Sequence, residues 1–160
     1  MYIDVKGGSN RQKELAKSMA TFAAYNLMSK KLADKITVNL HIKQDLEKRE
    51  GASGLCIWED TNHRPKEFTI SVDRGLKHRM FLETVAHEMV HVKQWAKGEM
   101  FDFISKTGVC RYHGKKIDTS KMNYYDYPWE IEALGREQGL FMRWIDENNY
   151  NSAAWANRKK

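Results

Sequence analysis

The apolar residues of this chain change period near residue 76, and that change limits the fold more than any other feature. Before it, Ile36-Thr37-Val38-Asn39-Leu40-His41-Ile42 and Glu67-Phe68-Thr69-Ile70-Ser71-Val72-Asp73 alternate apolar and polar residues. Half-buried strands do this, because successive side chains point to opposite faces. After it, Leu82, Val85, Met89, Val92 and Ala96 step by three and four and predict one amphipathic helix over residues 76–97. Gly98 stands where such a helix is expected to stop. Strands followed by a long amphipathic helix read as an α+β fold.

The flanking segments extend this pattern. Ser9-Asn10 offers an N-cap to a helix over residues 9–32, with Leu15, Met19, Phe22, Ala23 and Leu27 on its apolar face. Gly54-Leu55-Cys56-Ile57-Trp58-Glu59 is a third strand. The strand region, residues 36–73, is expected to form a small, mostly antiparallel sheet of three to four strands with the first helix packed on it. Residues 109–117 read as a hairpin turning at His113-Gly114, and Asp126-Tyr127-Pro128 opens a last helix over residues 128–146. With 160 residues, 41% of them hydrophobic, and only two prolines, one domain spanning residues 1–160 is expected.

Charge and cysteine usage narrow the function classes. Lysine and arginine exceed aspartate and glutamate by 27 − 21 = +6. The excess is scattered, apart from Lys30-Lys31, Lys115-Lys116 and the Arg158-Lys159-Lys160 tail, so nucleic acid is at most a secondary partner. Cys56 and Cys110 form no CxxC and cannot build a four-thiolate zinc ribbon. The start Met1-Tyr2-Ile3-Asp4-Val5-Lys6-Gly7-Gly8 has no apolar signal core, and no stretch has the length of a membrane span. A soluble, cytoplasmic protein without membrane partners is expected.

The helix over residues 76–97 carries His87-Glu88-Met89-Val90-His91. Two histidines four apart lie one turn apart on one helical face, where two imidazoles can share one metal ion. Glu88 lies about 100° further round, beside such an ion. Zinc would lower the pKa of a bound water toward about 7, and the carboxylate could take its proton and pass it to a leaving amine. The histidines sit off the Leu82–Val85–Met89–Val92 stripe, so one face can be anchored while the other meets substrate.

A single zinc ion (Zn2+) at a catalytic site needs a third protein ligand and an open fourth position. Six residues past His91 stands Lys97, with Gln94 where a glycine would be needed, and four past it stands Trp95. Histidine-based completions at those spacings are therefore excluded. Tyr127-Pro128-Trp129-Glu130-Ile131-Glu132-Ala133 supplies carboxylates instead. Glu130 and Glu132 are about 200° apart on a helix, so only one of them should face the metal. Glu132 is preferred, because the small Ala133 beside it lets the two helices approach closely. Glu130 is the alternative ligand or an outer supporting group, and Glu137 is a third choice.

His87, Glu88, His91 and Gln94, then Tyr112-His113-Gly114-Lys115 and Pro128 to Ala133, resemble the gluzincin metallopeptidases. The closest likeness is to short, single-domain phage and bacterial SprT-like peptidases. The resemblance covers roughly residues 36–144. It implies a zincin-like fold, peptide-bond hydrolysis, one zinc ion and a protein or peptide substrate. It also favours Glu132, since the ligand glutamate of gluzincins commonly precedes alanine. The sequence departs from the pattern at Arg136, where an acidic residue often orients a zinc histidine. It departs again at Trp95 and in lacking a cysteine ribbon.

Other groups carry weaker expectations. Tyr124, Tyr125, Tyr127 and His113 stand close enough in sequence to stabilise an oxyanion, with Tyr127 the named candidate. His41, His63 and His78 read as non-ligands, and Trp95, Trp129, Phe141 and Trp144 as core. A strand such as Phe68 to Val72 could hold an extended peptide by edge pairing. The rival to a peptidase is a zinc-holding binding or adaptor module associated with nucleic acid.

Overall fold

The structure is a computed structural model that describes residues 1–103 and 108–156; the basic tail Arg158-Lys159-Lys160 lies outside the described residues. Strand β1 (Tyr2–Gly7) is followed by helix α1 (Asn10–Leu27), one turn of helix α2 (Lys30–Ala33) and strand β2 (Thr37–Lys43). Short helix α3 (Leu46–Glu50), strands β3 (Gly54–Trp58) and β4 (Glu67–Asp73) and helix α4 (His78–Ala96) come next. Strands β5 (Met100–Asp102), β6 (Val109–Tyr112) and β7 (Lys115–Asp118) precede a 3-10 turn at Tyr124–Asp126 and helix α5 (Pro128–Glu147).

The α+β class holds, and so do most of the boundaries. Ser9 caps α1 as expected: its hydroxyl accepts from the Gln12 N–H while the Gln12 side chain accepts from the Ser9 N–H. The expected long first helix is two pieces, since Met28 is extended and Ser29 caps α2. The hairpin turns at His113-Gly114, both at positive φ, and β5 joins it as a third strand.

The main sheet corrects the expected antiparallel meander. Its order is β1-β2-β4-β3, with β1/β2 and β2/β4 parallel and only β3/β4 antiparallel. Alternation within β2 and β4 reveals a buried face but not the direction of a neighbour. Direction is set by the connections, and α1 carries the chain back across the sheet so that β2 runs parallel to β1. β1, which carries the alternation Tyr2-Ile3-Asp4-Val5, is a further strand beyond those expected over residues 36–73.

β3 is one of the two edge strands, with β1 at the far side of the sheet, and it is the one that packs beside α4. The Asp73 N–H donates to the Ser53 carbonyl and the Glu59 N–H to the Glu67 carbonyl. The odd-numbered β3 residues therefore exchange bonds with β4. Gly54, Cys56 and Trp58 turn their N–H and C=O toward the open edge. The edge that could take a peptide is β3, not the expected Phe68 to Val72 stretch, which lies between β2 and β3.

α4 is the spine of the molecule. Leu82, Val85 and Met89 are completely buried in the core shared with α1, β2, β4 and α5. Burying each contributes about 1.5–3 kcal/mol, so this face is fixed and the polar residues beside it are held in place. Trp144, Phe141 and Leu140 of α5 close the same core, which presses the start of α5 against the middle of α4.

Candidate metal centre

His87 and His91 project from α4 toward α5 with their Nε2 atoms 3.2 Å apart. Glu130, in the first turn of α5, reaches both: its Oε2 is 3.3 Å from His87 Nε2 and its Oε1 3.5 Å from His91 Nε2. Ligands bound to zinc at about 2.0–2.1 Å in a tetrahedron stand about 3.3 Å from each other. The three groups are spaced as ligands of one ion would be.

Glu130, not Glu132, completes the group, which corrects the preference drawn from Ala133. Ala133 is indeed fully buried where the helices meet. On a helix, however, the residues sharing its face are three before and four after, Glu130 and Glu137. Glu132 is turned about 100° away. Glu137 lies seven past Glu130, almost in line with it, and its Oε2 is 2.8 Å from His87 Nδ1. A carboxylate one turn beyond Ala133 thus contacts the outer nitrogen of a histidine in the group.

The tautomers follow from these partners. Gln94 Nε2 donates to the Trp129 carbonyl and to Glu132 Oε2, so its Oε1 can only accept, and it accepts from His91 Nδ1 at 2.9 Å. Glu137 can likewise accept from His87 Nδ1. Both Nε2 lone pairs then face the Glu130 carboxylate, and Glu130 Oε2 is buried without a hydrogen-bond partner among the described residues. Three acceptors converging on one point repel each other unless a cation or protons intervene. The donor set of two imidazoles and a carboxylate fits zinc.

Without a cation, protons on the histidines relieve this repulsion. Burial alone would lower His87, but the carboxylates of Glu130 and Glu137 outweigh it and push its pKa up to about 10. Burial likewise opposes the proton on His91, and Glu130 and Glu88 again raise it. Glu130 would be raised by burial, yet His87 and His91 hold it down at about 2. Glu88 behaves differently: it is 4% exposed, and burial pushes it up to about 6 against the pull of His91 and His87. A buried carboxyl near neutrality beside a metal-ligand group has the poise of a general base.

Gly54 at the start of β3 makes room for Glu88. A Cβ there would run into the Glu88 carboxylate and the Thr84 methyl group. A glycine inside a strand signals such a close approach, and this one was readable only as a strand start. Tyr127, the named oxyanion candidate, caps α5 and packs on Trp129 with ring centroids 4.9 Å apart. Tyr124, 52% exposed, is the tyrosine that the site perturbs: partial burial and the Glu130 carboxylate both raise its pKa.

Glu132 is held elsewhere. Its carboxylate accepts from Lys93 Nζ at 2.6 Å, Gln94 Nε2 at 3.0 Å, the Tyr112 hydroxyl at 2.8 Å and Arg136 Nε at 2.7 Å. Glu99, His113 and Glu132 also lie within ligand distance of each other. Lys93 Nζ, 2.6 Å from both Glu99 and Glu132, already supplies the cation there. Comparison with protein-family models, curated proteins and solved structures finds no match for this chain.

Proposed function

We propose that the protein is a zinc-dependent peptidase with a zincin-like fold, in which His87, His91 and Glu130 hold one zinc ion and Glu88 is the general base and acid. The convergence of two imidazole nitrogens, 3.2 Å apart, on the buried Glu130 carboxylate, one of whose oxygens has no hydrogen-bond partner among the described residues, carries this reading. A bound zinc ion would supply a Lewis acid and bring the pKa of water near neutrality. Glu88 accepts the proton of the attacking water on its carboxylate and delivers it to the nitrogen of the leaving amine. Glu137 and Gln94 keep Nδ1 of each histidine protonated and Nε2 free. Tyr124 is placed to donate to the developing oxyanion. The open edge of β3, which begins beside Glu88, can align an extended peptide through the outward N–H and C=O groups of Gly54, Cys56 and Trp58. No helix among the described residues is long and apolar enough to cross a membrane.

Purified protein should contain about one equivalent of zinc. Glu88→Gln should keep that zinc and lose about 10²–10⁴-fold in peptide cleavage. Zinc analysis beside cleavage of an unfolded protein substrate checks both. Absence of zinc, or equal activity of the two forms, would refute the reading.

A second reading, a zinc-holding module that binds nucleic acid, draws support from one surface. A cavity of about 920 Å³ between α2 and the loop before β4 is lined by Lys31, Lys35, Arg64, Lys66 and Lys97 and by no carboxylate. Salt-sensitive binding of nucleic acid without cleavage of any protein would favour it.

A further inference from the structure

A second cavity, of about 790 Å³, lies across the same loop from the basic one and has the opposite character. Its walls are aromatic: Trp58 from the end of β3, Trp95 from α4, and Phe101 and Phe103 from β5 and the residue following it. The Trp58 and Trp95 rings pack together, tilted by 35°, with centroids 4.0 Å apart. Its rim carries Glu59, Asp60 and Asp102, and no lysine or arginine lines it, although the chain as a whole is basic. Asp60 is engaged by the N–H groups of Asn62, Lys66 and Glu67. Glu59 and Asp102 are exposed and form no ion pair among the described residues.

The same two elements, β3 and α4, border both this cleft and the candidate metal centre. β3 runs beside α4, with Gly54 against Glu88 at one end and Trp58 against Trp95 at the other. Seven helical residues separate Glu88 from Trp95, about 10.5 Å, and four strand residues separate Gly54 from Trp58, about 13 Å. A peptide paired with β3 would therefore place its third or fourth residue from the scissile bond at the cleft. Antiparallel pairing, the more stable kind, makes that residue N-terminal to the bond, because β3 leads away from Glu88.

Resting on the peptidase reading, we propose that the Trp58–Trp95–Phe101 cleft is a specificity pocket for an arginine side chain three or four residues before the cleaved bond. Aromatic faces accept a guanidinium by stacking and by cation–π attraction, and unpaired carboxylates at the rim supply its ion-pair partners. The chain itself provides a precedent. Arg111, which does not line the cleft, places its guanidinium 5.0 Å from the Phe101 ring centroid, and His63 stacks on the same ring at 4.8 Å, so a peptide guanidinium is left to the indole of Trp58. Lysine fits less well, since its compact ammonium stacks poorly. Leucine would fill the aromatic part but leave the carboxylates without partners.

Binding to the Glu88→Gln protein tests the pocket without requiring cleavage. One host peptide carrying Arg, Lys, Leu or Ala at a single position is titrated, and tryptophan fluorescence reports on Trp58 and Trp95. The Arg peptide should bind at least about tenfold more tightly than the Ala peptide, with Lys between them. Adding Glu59→Gln and Asp102→Asn should shrink that gap to about threefold or less. Leu binding as tightly as Arg, a gap unchanged by the two substitutions, or no binding of the Arg peptide at millimolar concentration would each overturn the proposal. Arg-selective binding with no cleavage by the unsubstituted protein would overturn the peptidase reading and leave the pocket standing. Cleavage with no Arg preference before the cut bond would do the reverse.

Discussion

Two glutamates, two residues apart on α5, are both held near pKa 2 and do opposite things. Burial works against each carboxylate. At Glu130 it is overcome by two histidines, groups that can give up their protons and bind a metal instead. At Glu132 it is overcome chiefly by Lys93 and by the Gln94 and Tyr112 donors. Glu130 is left with an unpartnered oxygen; Glu132 is saturated. A binding site is marked by unmet demand, and a structural site by demand already met. The two are also wired together. Glu132 fixes the Gln94 amide, and Gln94 fixes the tautomer of His91.

The largest expected contrast is in metal content. Glu130→Gln should drop zinc from about one equivalent to under about a tenth after dialysis, whereas Glu132→Gln should retain most of it. Elemental analysis of the two proteins side by side decides the assignment, and the opposite pattern would restore Glu132 as the ligand. Next in size are the positioning groups. Glu137→Gln and Gln94→Leu should each weaken zinc binding by about 10–100-fold, read by competition with a chelator.

The structural glutamate should betray itself in stability. Lys93 is 4% exposed, and Lys93→Met would leave Glu99 and Glu132 facing each other without their shared cation. A loss of about 3 kcal/mol is expected, seen as a lower denaturant midpoint with zinc content little changed. A zinc loss as large as that of Glu130→Gln would merge the two sites into one.

Much of this was legible beforehand. His87, Glu88 and His91 announce themselves by spacing alone, because one helix carries all three. The third member could not be read the same way, since it depends on how α5 is rotated against α4. Ala133 did mark the contact face, but the helical period assigns Glu130 and Glu137 to that face rather than its immediate neighbour. Lys93 and Gln94 looked like ordinary polar residues late in a helix, and nothing local shows that they are buried. Parallel pairing of β1, β2 and β4 was hidden because alternation is the same in either direction. The α1 capping box and the His113-Gly114 turn were readable in full, as both are decided within four residues.

A third buried carboxylate provides the control for this contrast, and the smallest effect. Asp73, 6% exposed at the end of β4, is held low first by the Glu47 N–H, against the upward push of its own burial, and then by the Gly75 N–H, so backbone donors satisfy it. Asn in its place keeps one acceptor and loses the other, which should cost about 1 kcal/mol at neutral pH. Because its folded pKa lies below the unfolded value of about 3.9, the charged form contributes fully above that pH. The contribution fades as pH falls from there through the depressed folded value. The stability gap between Asp73→Asn and the unsubstituted protein should therefore be constant from neutrality down to about pH 5 and close in stronger acid. It should also resist added salt, since its donors are backbone dipoles, whereas the partly exposed Arg136 contact to Glu132 should weaken. Denaturant midpoints across pH and ionic strength measure both trends, and a gap that widened in acid would mean that Asp73 is held by something other than its amide partners.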